Sequence, residues 1–344
     1  MPELRKDPVL GRWIIIAQER GKRPTDFIVR RMASRGGFCP LCPGNEKTTP
    51  AEILSYRNHS GQWQVRVVPN KYPALVINGN LDKEGEGIYD RMNGIGAHEV
   101  IIETPDHKVD FSSLPVEQMV RIFYAYRDRI LDLERDHRFK YVMVFKNFGQ
   151  EAGASLEHPH SQLIALPILP RMIVSELDGS LSHYRYKERC IFCDIIRQEI
   201  KEDKRIVCRN NHFIVIVPYA PRFPFEMWII PRYHNSSYQN QDAESFLSLA
   251  DIFSESIRRL NACIPEVSYN FVLHTAPLRS SPLEYYHWHF EIMPKLTTVA
   301  GFEWGSGFYI NPIPPEDGAR YLRDIELPDY SLTNSHFSFV QEAG

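Results

Sequence analysis

The sequence predicts an α+β protein in which one unit is written twice, each copy an antiparallel sheet with helices packed on it. Three observations predict it. An ordered set of features recurs along the 344 residues. Strand-like runs precede and follow one long helix in each copy instead of alternating with helices, which disfavours a doubly wound parallel sheet. Hydrophobic residues at 43% against 24% charged supply a core of ordinary globular size.

The first copy runs through CPLC (39–42), WQVRVVPNKYPAL, HEVIIETPDH, a helix, YVMVFKNFG and HPHSQ (158–162). The second runs through CIFC (190–193), HFIVIVPYAPRFPFE, EMWIIPRYH, a helix, YNFVLHTAP and HWHFE (287–291). Cys42 and Pro69 lie 27 positions apart and Cys193 and Pro218 25; His107 and His158 lie 51 apart and His234 and His287 53. The interval that differs, between Pro69 and His107, holds the polar stretch NGNLDKEGEGIYDRMNGIG, which reads as a loop insertion.

The elements follow from local pattern. Met119, Ile122, Phe123, Tyr126, Ile130 and Leu133 keep helical spacing behind Pro115. Phe246, Leu249, Ala250, Phe253, Ile257 and Leu260 do the same, with Asp242 placed as an N-cap. Short β-branched and aromatic runs read as strands at Val65–Val68, Glu99–Ile102, Tyr141–Phe145, Phe213–Val217, Met227–Ile230 and Tyr269–Leu273. The join falls at 167–187, giving an N-terminal repeat over 1–175 and a C-terminal repeat over 176–344.

Forty basic against 43 acidic side chains leave a formal charge of −3, so the chain is no neutraliser of a nucleic-acid backbone. Its apolar runs, such as Trp13–Ala17 and Trp228–Pro231, are far short of a membrane span. The opening MPELRKDPVLGRW has no apolar stretch of signal-peptide length. A cytoplasmic protein without membrane or nucleic-acid partners is the expectation.

Four of the six cysteines form two Cys-x-x-Cys pairs, which in such a chain are metal ligands or redox couples. Neither pair sits in a strand–CxxC–helix context, and each is followed by two histidines in the same order. Two tetrahedral zinc sites are expected: Cys39, Cys42, His107 and His158, and Cys190, Cys193, His234 and His287. Cys208 and Cys263 read as inert core thiols.

In HPHSQ, alternate residues of an extended segment place His158, His160 and Gln162 on one face. Asn147, Gly149, Gly153 and Ser155 precede them in KNFGQEAGASLEHPHSQ, where glycines let backbone N–H groups approach an anion. A neutral histidine is a competent nucleophile at phosphorus. Read alone, an HxH on a strand is more often structural or metal-binding.

NFGQEAGASLEHPHSQ resembles the active-site segment of the histidine-triad superfamily, in its transferase branch. With ELRKDPVLGRWIIIA, ERGKRPTDF, FCPLCPGNE, VVPNKYPAL, PFEMWIIPRYH and VAGFEWGSGFYINPIPPEDGARYLRD, nearly the whole chain resembles the galactose-1-phosphate uridylyltransferase family. The resemblance implies two histidine-triad-like repeats in one subunit and a homodimer with active sites near the subunit interface. It implies that His160 attacks the α-phosphorus of a UDP-hexose, glucose 1-phosphate leaves, and galactose 1-phosphate takes the uridylyl group. It implies that Gln162 hydrogen-bonds the phosphoryl oxygens where hydrolases carry a third histidine, which favours transfer over hydrolysis.

By the same resemblance Arg20 and Arg23 lie near the nucleotide phosphates, and Asn70, Asn147 and the Gly153–Ala154–Ser155–Leu156 backbone contact nucleotide and phosphate. Val299, Phe302 and Glu303 form the hexose clamp. Glu157 reads equally well as a solvated side chain. HWHFE departs from the pattern, with Phe290 and Glu291 where Ser161 and Gln162 stand, so His289 lacks a nucleophile's surroundings. Some relatives carry a histidine–glutamate iron site in this half, which His274 and His289 could complete here. An adenylyl-transferring relative of the ADP-glucose phosphorylase kind shares both CxxC pairs and the YPAL and GFE segments, while the proline of HPHSQ is more like the uridylyltransferases. A zinc module that binds nucleotides without turnover would leave residues 147–162 without a task.

Overall fold

A computed structural model describes residues 1–17, 19, 23–27, 36–109, 111–280 and 282–327. Ten strands make one sheet, and its strand order displays the duplication. The first half contributes β3 (Leu54–Arg57), β4 (Trp63–Pro69), β7 (Ala97–Ile102), β8 (Tyr141–Phe148) and β9 (His160–Leu166). The second contributes β10 (Ile206–Arg209), β11 (Phe213–Ile216), β12 (Met227–Pro231), β13 (Tyr269–His274) and β14 (His289–Pro294). The order β10-β11-β12-β14-β13-β8-β9-β7-β4-β3 reads as the same five-strand pattern outward from its centre in both directions. Every pairing is antiparallel, and the halves join where β13 meets β8, with Asn270 opposite Asn147.

One face of the sheet carries α1 (Val116–Glu134) and α4 (Ala243–Cys263), the two helices expected from spacing. All six apolar positions anticipated in each are buried. Asp242 caps α4, accepting the Ser245 backbone N–H at 2.7 Å. Phe123 of α1, Phe253 of α4, Phe271 of β13 and Phe290 of β14 pack with ring centroids 5.2–5.9 Å apart. A single hydrophobic core therefore runs under both halves.

The opposite, outer face is not symmetric. Over the second half it is covered by α2 (Arg171–Lys187) and α3 (Ile191–Glu202). Strand alternation there sends Val215, Met227 and Ile229 to the main core, and Ile214, Ile216, Trp228 and Ile230 to a second core with Ile191, Phe192 and Ile196. Over the first half the described residues place a small cluster of Leu41, Trp63, Val68 and Ile102 on the outer face.

The chain between the halves, read from sequence as a join, is thus the helix α2, entered behind Pro170. The insertion carries an exposed hairpin, β5 (Glu84–Glu86) with β6 (Tyr89–Arg91). β1 (Glu3–Lys6), β2 (Trp13–Ile16) and β15 (Tyr309–Asn311) form a small separate sheet. It is held to the second half by Arg5, which donates to Glu316 of α6 (Pro315–Asp324) at 2.8 Å. No helix among the described residues is long and apolar enough to cross a membrane.

Candidate active site

The anticipated thiol–imidazole sets converge. Donor atoms of Cys39, Cys42, His107 and His158 all lie within 4.8 Å of one another, as do those of Cys190, Cys193, His234 and His287. Cys42 Sγ stands 3.3 Å from His107 Nδ1 and 3.5 Å from His158 Nδ1; Cys193 Sγ stands 3.5 and 3.8 Å from Nδ1 of His234 and His287. Sulfur and nitrogen sharing one tetrahedral zinc are separated by about 3.5 Å. In each set the second histidine donates Nε2–H to a backbone carbonyl, His158 to Thr104 at 2.8 Å and His287 to Pro231 at 2.9 Å. That bond leaves the Nδ1 lone pair facing the thiols. Both sets are suited to holding a metal. The Cys190–Cys193 pair opens α3 but follows a helix rather than a strand, so it too stands outside a strand–CxxC–helix context.

His160 is set by the opposite tautomer. Its Nδ1 lies 2.8 Å from the His158 carbonyl oxygen, which can only accept, so the proton sits on Nδ1 and the lone pair on Nε2. Burial first, then the Lys146 ammonium, lowers the imidazole to about 4, so it is neutral near pH 7. Ser161, Leu163 and Ala165 turn to the core while Gln162 faces outward with His160, as expected. Beneath them Lys146 donates to Glu103 Oε2 at 2.5 Å and to the His160 carbonyl at 2.9 Å, and both side chains of this ion pair are buried. Tyr126 of α1 and Ser161 share a hydrogen bond of 2.7 Å.

The glycine-containing segment forms the lip. Gly149 is held at φ 84°, where a side chain would also collide with Ser268 of the second half. Gly153 and Ala154 N–H close a turn on the carbonyls of Gln150 and Gly149, at 2.9 and 3.1 Å, so these two amides are already engaged. Ser155 and Leu156 are exposed beyond them. Asn147 Oδ1 accepts from Asn270 Nδ2 at 2.8 Å, and Asn270 also donates to the Ala152 carbonyl at 2.9 Å. A cavity of about 260 Å³ opens here, lined among others by Phe38, Cys39, His107, Ser155, Leu156 and Glu157. Glu157 lies 3.9 Å from His107 Nε2.

Asn70, at the end of β4, is tied to the same face by its N–H on the His98 carbonyl at 2.8 Å. Arg23 is exposed, and Arg20 lies outside the described residues. Val299, Phe302 and Glu303 are not among the residues that line this cavity. They flank and open α5 (Gly301–Ser306), beside β15 and the small sheet, with Phe302 half exposed.

Sequence reasoning missed His98, Glu103, Lys146 and Asn270. His98 had a signal: in AHEVII it alternates with Val100 on the outer face, a polar ring in an apolar strand. Glu103, just past the end of β7, and Lys146 of β8 are partners 43 positions apart, which spacing along the chain does not reveal.

In the second half His289 repeats the His160 arrangement, with Nδ1 3.1 Å from the His287 carbonyl oxygen. Its ring is enclosed by Phe192, Trp228 and His274, with centroids 4.9–5.4 Å away, and is fully buried. Glu176 of α2, His274 and His289 bring donor atoms within 4.8 Å, a set that could hold a metal. His274 Nδ1 meets Glu176 Oε2 at 2.9 Å, and Arg222 joins Glu291 at 2.5 Å. Against burial, Glu176 and Glu291 raise His274 to about 9; against burial, Arg222 and His274 hold Glu291 down to about 2.

A neutral imidazole with its lone pair on Nε2, beside an amide on the same sheet face, suits nucleophilic attack at phosphorus, and comparison with known proteins supplies the class. Residues 1–170 match the family described as galactose-1-phosphate uridyl transferase, N-terminal domain, and residues 96–326 match a domain of unknown function, DUF4921. An ADP-glucose phosphorylase of Arabidopsis thaliana is 36% identical over 95% of this chain and 93% of its own length. A galactose-1-phosphate uridylyltransferase of Thermotoga maritima is 29% identical over 95% and 99%. The crystal structure of an Arabidopsis thaliana ADP-glucose phosphorylase with bound ADP-glucose superposes with a TM-score of 0.82 at 34% identity, covering 95% of this chain and all of that one. A uridylyltransferase structure gives 0.74 at 32% identity, covering 94% and 97%. The chain belongs to the galactose-1-phosphate uridylyltransferase family and is a nucleotidyltransferase.

Proposed function

We propose that the chain exchanges UMP between UDP-glucose and galactose 1-phosphate through a uridylyl group carried on His160. The observation that supports this best is the fixed tautomer of His160, whose neutral Nε2 points outward beside Gln162. The Nε2 lone pair attacks the α-phosphorus; the bond from that phosphorus to the bridging oxygen breaks, and its electrons leave with glucose 1-phosphate. The phosphate oxygen of galactose 1-phosphate then attacks the same phosphorus, and the N–P electrons return to Nε2. Gln162 donates to the phosphoryl oxygens. Arg20, Arg23, Asn70, Asn147 and the 153–156 backbone hold the nucleotide and its phosphates.

Zinc at Cys39, Cys42, His107 and His158 and at Cys190, Cys193, His234 and His287 serves a structural role, fastening loop segments to strand ends. The repeat over 1–175 carries the chemistry; that over 176–344 carries the second metal and the sugar-side pocket. The working unit is a homodimer in which Val299, Phe302 and Glu303 clamp the hexose bound to the partner subunit. The half-exposed ring of Phe302, and the absence of all three from the lining of the cavity beside Glu157, support this.

A second reading, adenylyl transfer from ADP-glucose to orthophosphate, is favoured by the 36% identity to an ADP-glucose phosphorylase. Incubation with UDP-glucose or ADP-glucose, followed by intact mass, separates the two. A uridylyl adduct that galactose 1-phosphate discharges supports the first reading. An adenylyl adduct that phosphate discharges supports the second. No adduct with either donor overturns both.

A further inference from the structure

We propose that His98 is a positioning residue for the transfer: it pins the carbonyl end of the Gln162 amide, so that the NH₂ end is presented to the phosphoryl group on His160. This rests on the roles of His160 and Gln162 proposed above.

The inference follows from hydrogen-bond direction. The Ala74 backbone N–H reaches His98 Nδ1 at 3.0 Å. A backbone N–H can only donate, so Nδ1 supplies the lone pair and Nε2 carries the ring proton. Nε2 lies 2.9 Å from Gln162 Oε1, which accepts that proton. Asn70 Nδ2 stands 3.2 Å from the same nitrogen, a donor facing a donor, so the Nε2–H is committed to Gln162. A glutamine amide can flip end for end at little intrinsic cost, exchanging two donors for an acceptor. With its oxygen taken by His98, the flip loses a hydrogen bond and turns a carbonyl oxygen toward phosphoryl oxygens. Transition-state stabilisation needs donors already aimed at the developing charge, and His98 supplies that aim without touching the substrate.

The backbone supports the same geometry. β7 pairs with β9 so that His98 lies opposite Ile164 and Val100 opposite Gln162, which puts His98 diagonal to the glutamine on the outer face. His98 is also the residue whose carbonyl accepts the Asn70 backbone N–H, so one strand position anchors the main chain at Asn70 and the side-chain amide of Gln162.

The test measures single-turnover formation of the nucleotidyl-enzyme by rapid quench and intact mass, using whichever of UDP-glucose and ADP-glucose loads the full-length protein. His98→Ala is expected to slow adduct formation about 10- to 100-fold while the donor concentration at half-maximal rate moves less than about threefold. In a Gln162→Ala background the same change is expected to matter less than about twofold, because its target is gone. His98→Asn can still accept from Ala74 yet is too short to reach Gln162, and should be slow. His98→Gln restores the reach of Nε2 and should recover most of the rate. Wild-type rates in His98→Ala or His98→Asn, or effects of His98→Ala and Gln162→Ala that multiply independently, overturn the proposal. An adduct that survives His160→Ala would instead overturn the reading of the nucleophile, which keeps the two failures apart.

Discussion

His160 and His289 occupy matching places in the two halves, on matching strands, each with Nδ1–H on the carbonyl of the histidine two residues earlier. The local device is therefore identical, and it does not decide which half reacts. What differs is the cover. Over the first half the outer face is left to a small apolar cluster and a cavity mouth. Over the second, α2 and α3 lie on the sheet, and Phe192 and Glu176 close on His289. The same tautomer is held in both halves, while the enclosing helices are found over one.

The sharpest break of this comparison is a pair of substitutions. His160→Ala should lower turnover by at least about 10⁴-fold and abolish the nucleotidyl adduct, because no other group in the site can carry the phosphoryl group. His289→Phe should leave turnover within a few-fold of wild type and act instead on thermal stability. A similar loss of rate in both variants would show that the halves share the chemistry.

The asymmetry was only half legible in the sequence. Duplicated motifs, both amphipathic helices and both Cys-Cys-His-His sets could be read from spacing, because each is a pattern along the chain. Phe290 and Glu291, standing where the first half has Ser161 and Gln162, marked the second half as different but not why. The reason is α2, whose sequence PRMIVSELDGSLSHYRYK carries polar residues around much of its circumference and read as a linker. Only Ile173, Glu176 and Ser180 of it are buried, and Glu176 is the one that faces His274 and His289. A buried carboxylate whose partners lie 98 and 113 positions away leaves no trace in local periodicity.

The two Cys-Cys-His-His clusters should also separate the halves. His158 is a member of the first cluster and its carbonyl holds His160, so Cys42→Ser should reduce both bound metal and turnover, the latter by about 10- to 100-fold. Cys193→Ser should remove the other metal equivalent and lower the melting temperature, with turnover of the surviving folded protein within a few-fold of wild type. Metal content by inductively coupled plasma mass spectrometry against kcat reads both. Equal losses of rate would mean that the second cluster also shapes the reacting site.

Each half buries an ion pair beside its HxH strand, but on opposite faces: Lys146 with Glu103 on the core side of His160, and Arg222 with Glu291 on the outer face, where Glu291 stands at the place of Gln162. Lys146→Met should cost about 3–5 kcal/mol of stability, since Glu103 would be left buried without its cation. The double variant Lys146→Met/Glu103→Gln should recover much of that loss in a denaturant titration. Its turnover should stay below wild type, because the bond to the His160 carbonyl is gone as well. Arg222→Met should be comparably destabilising, yet its kcat per folded molecule should be little changed. Both pairs are buried, and they differ in what they hold.

The smallest effect concerns the seam. Asn270 belongs to β13 of the second half, but its amide donates to Asn147 and to the Ala152 carbonyl of the first, fixing the lip of the cavity. Asn270→Ala removes two part-buried hydrogen bonds to neutral acceptors, at about 1 kcal/mol each, so the melting temperature should fall by only a few degrees. The lip itself should loosen more than the fold. The Michaelis constant for the nucleotide sugar should rise several-fold, with kcat within about twofold of wild type, because the β8–β13 ladder still holds the end of β8 in place. An unchanged Michaelis constant would mean that the turn bonds of Gly153 and Ala154 keep the lip in shape unaided, and that the second half contributes nothing to binding across this seam.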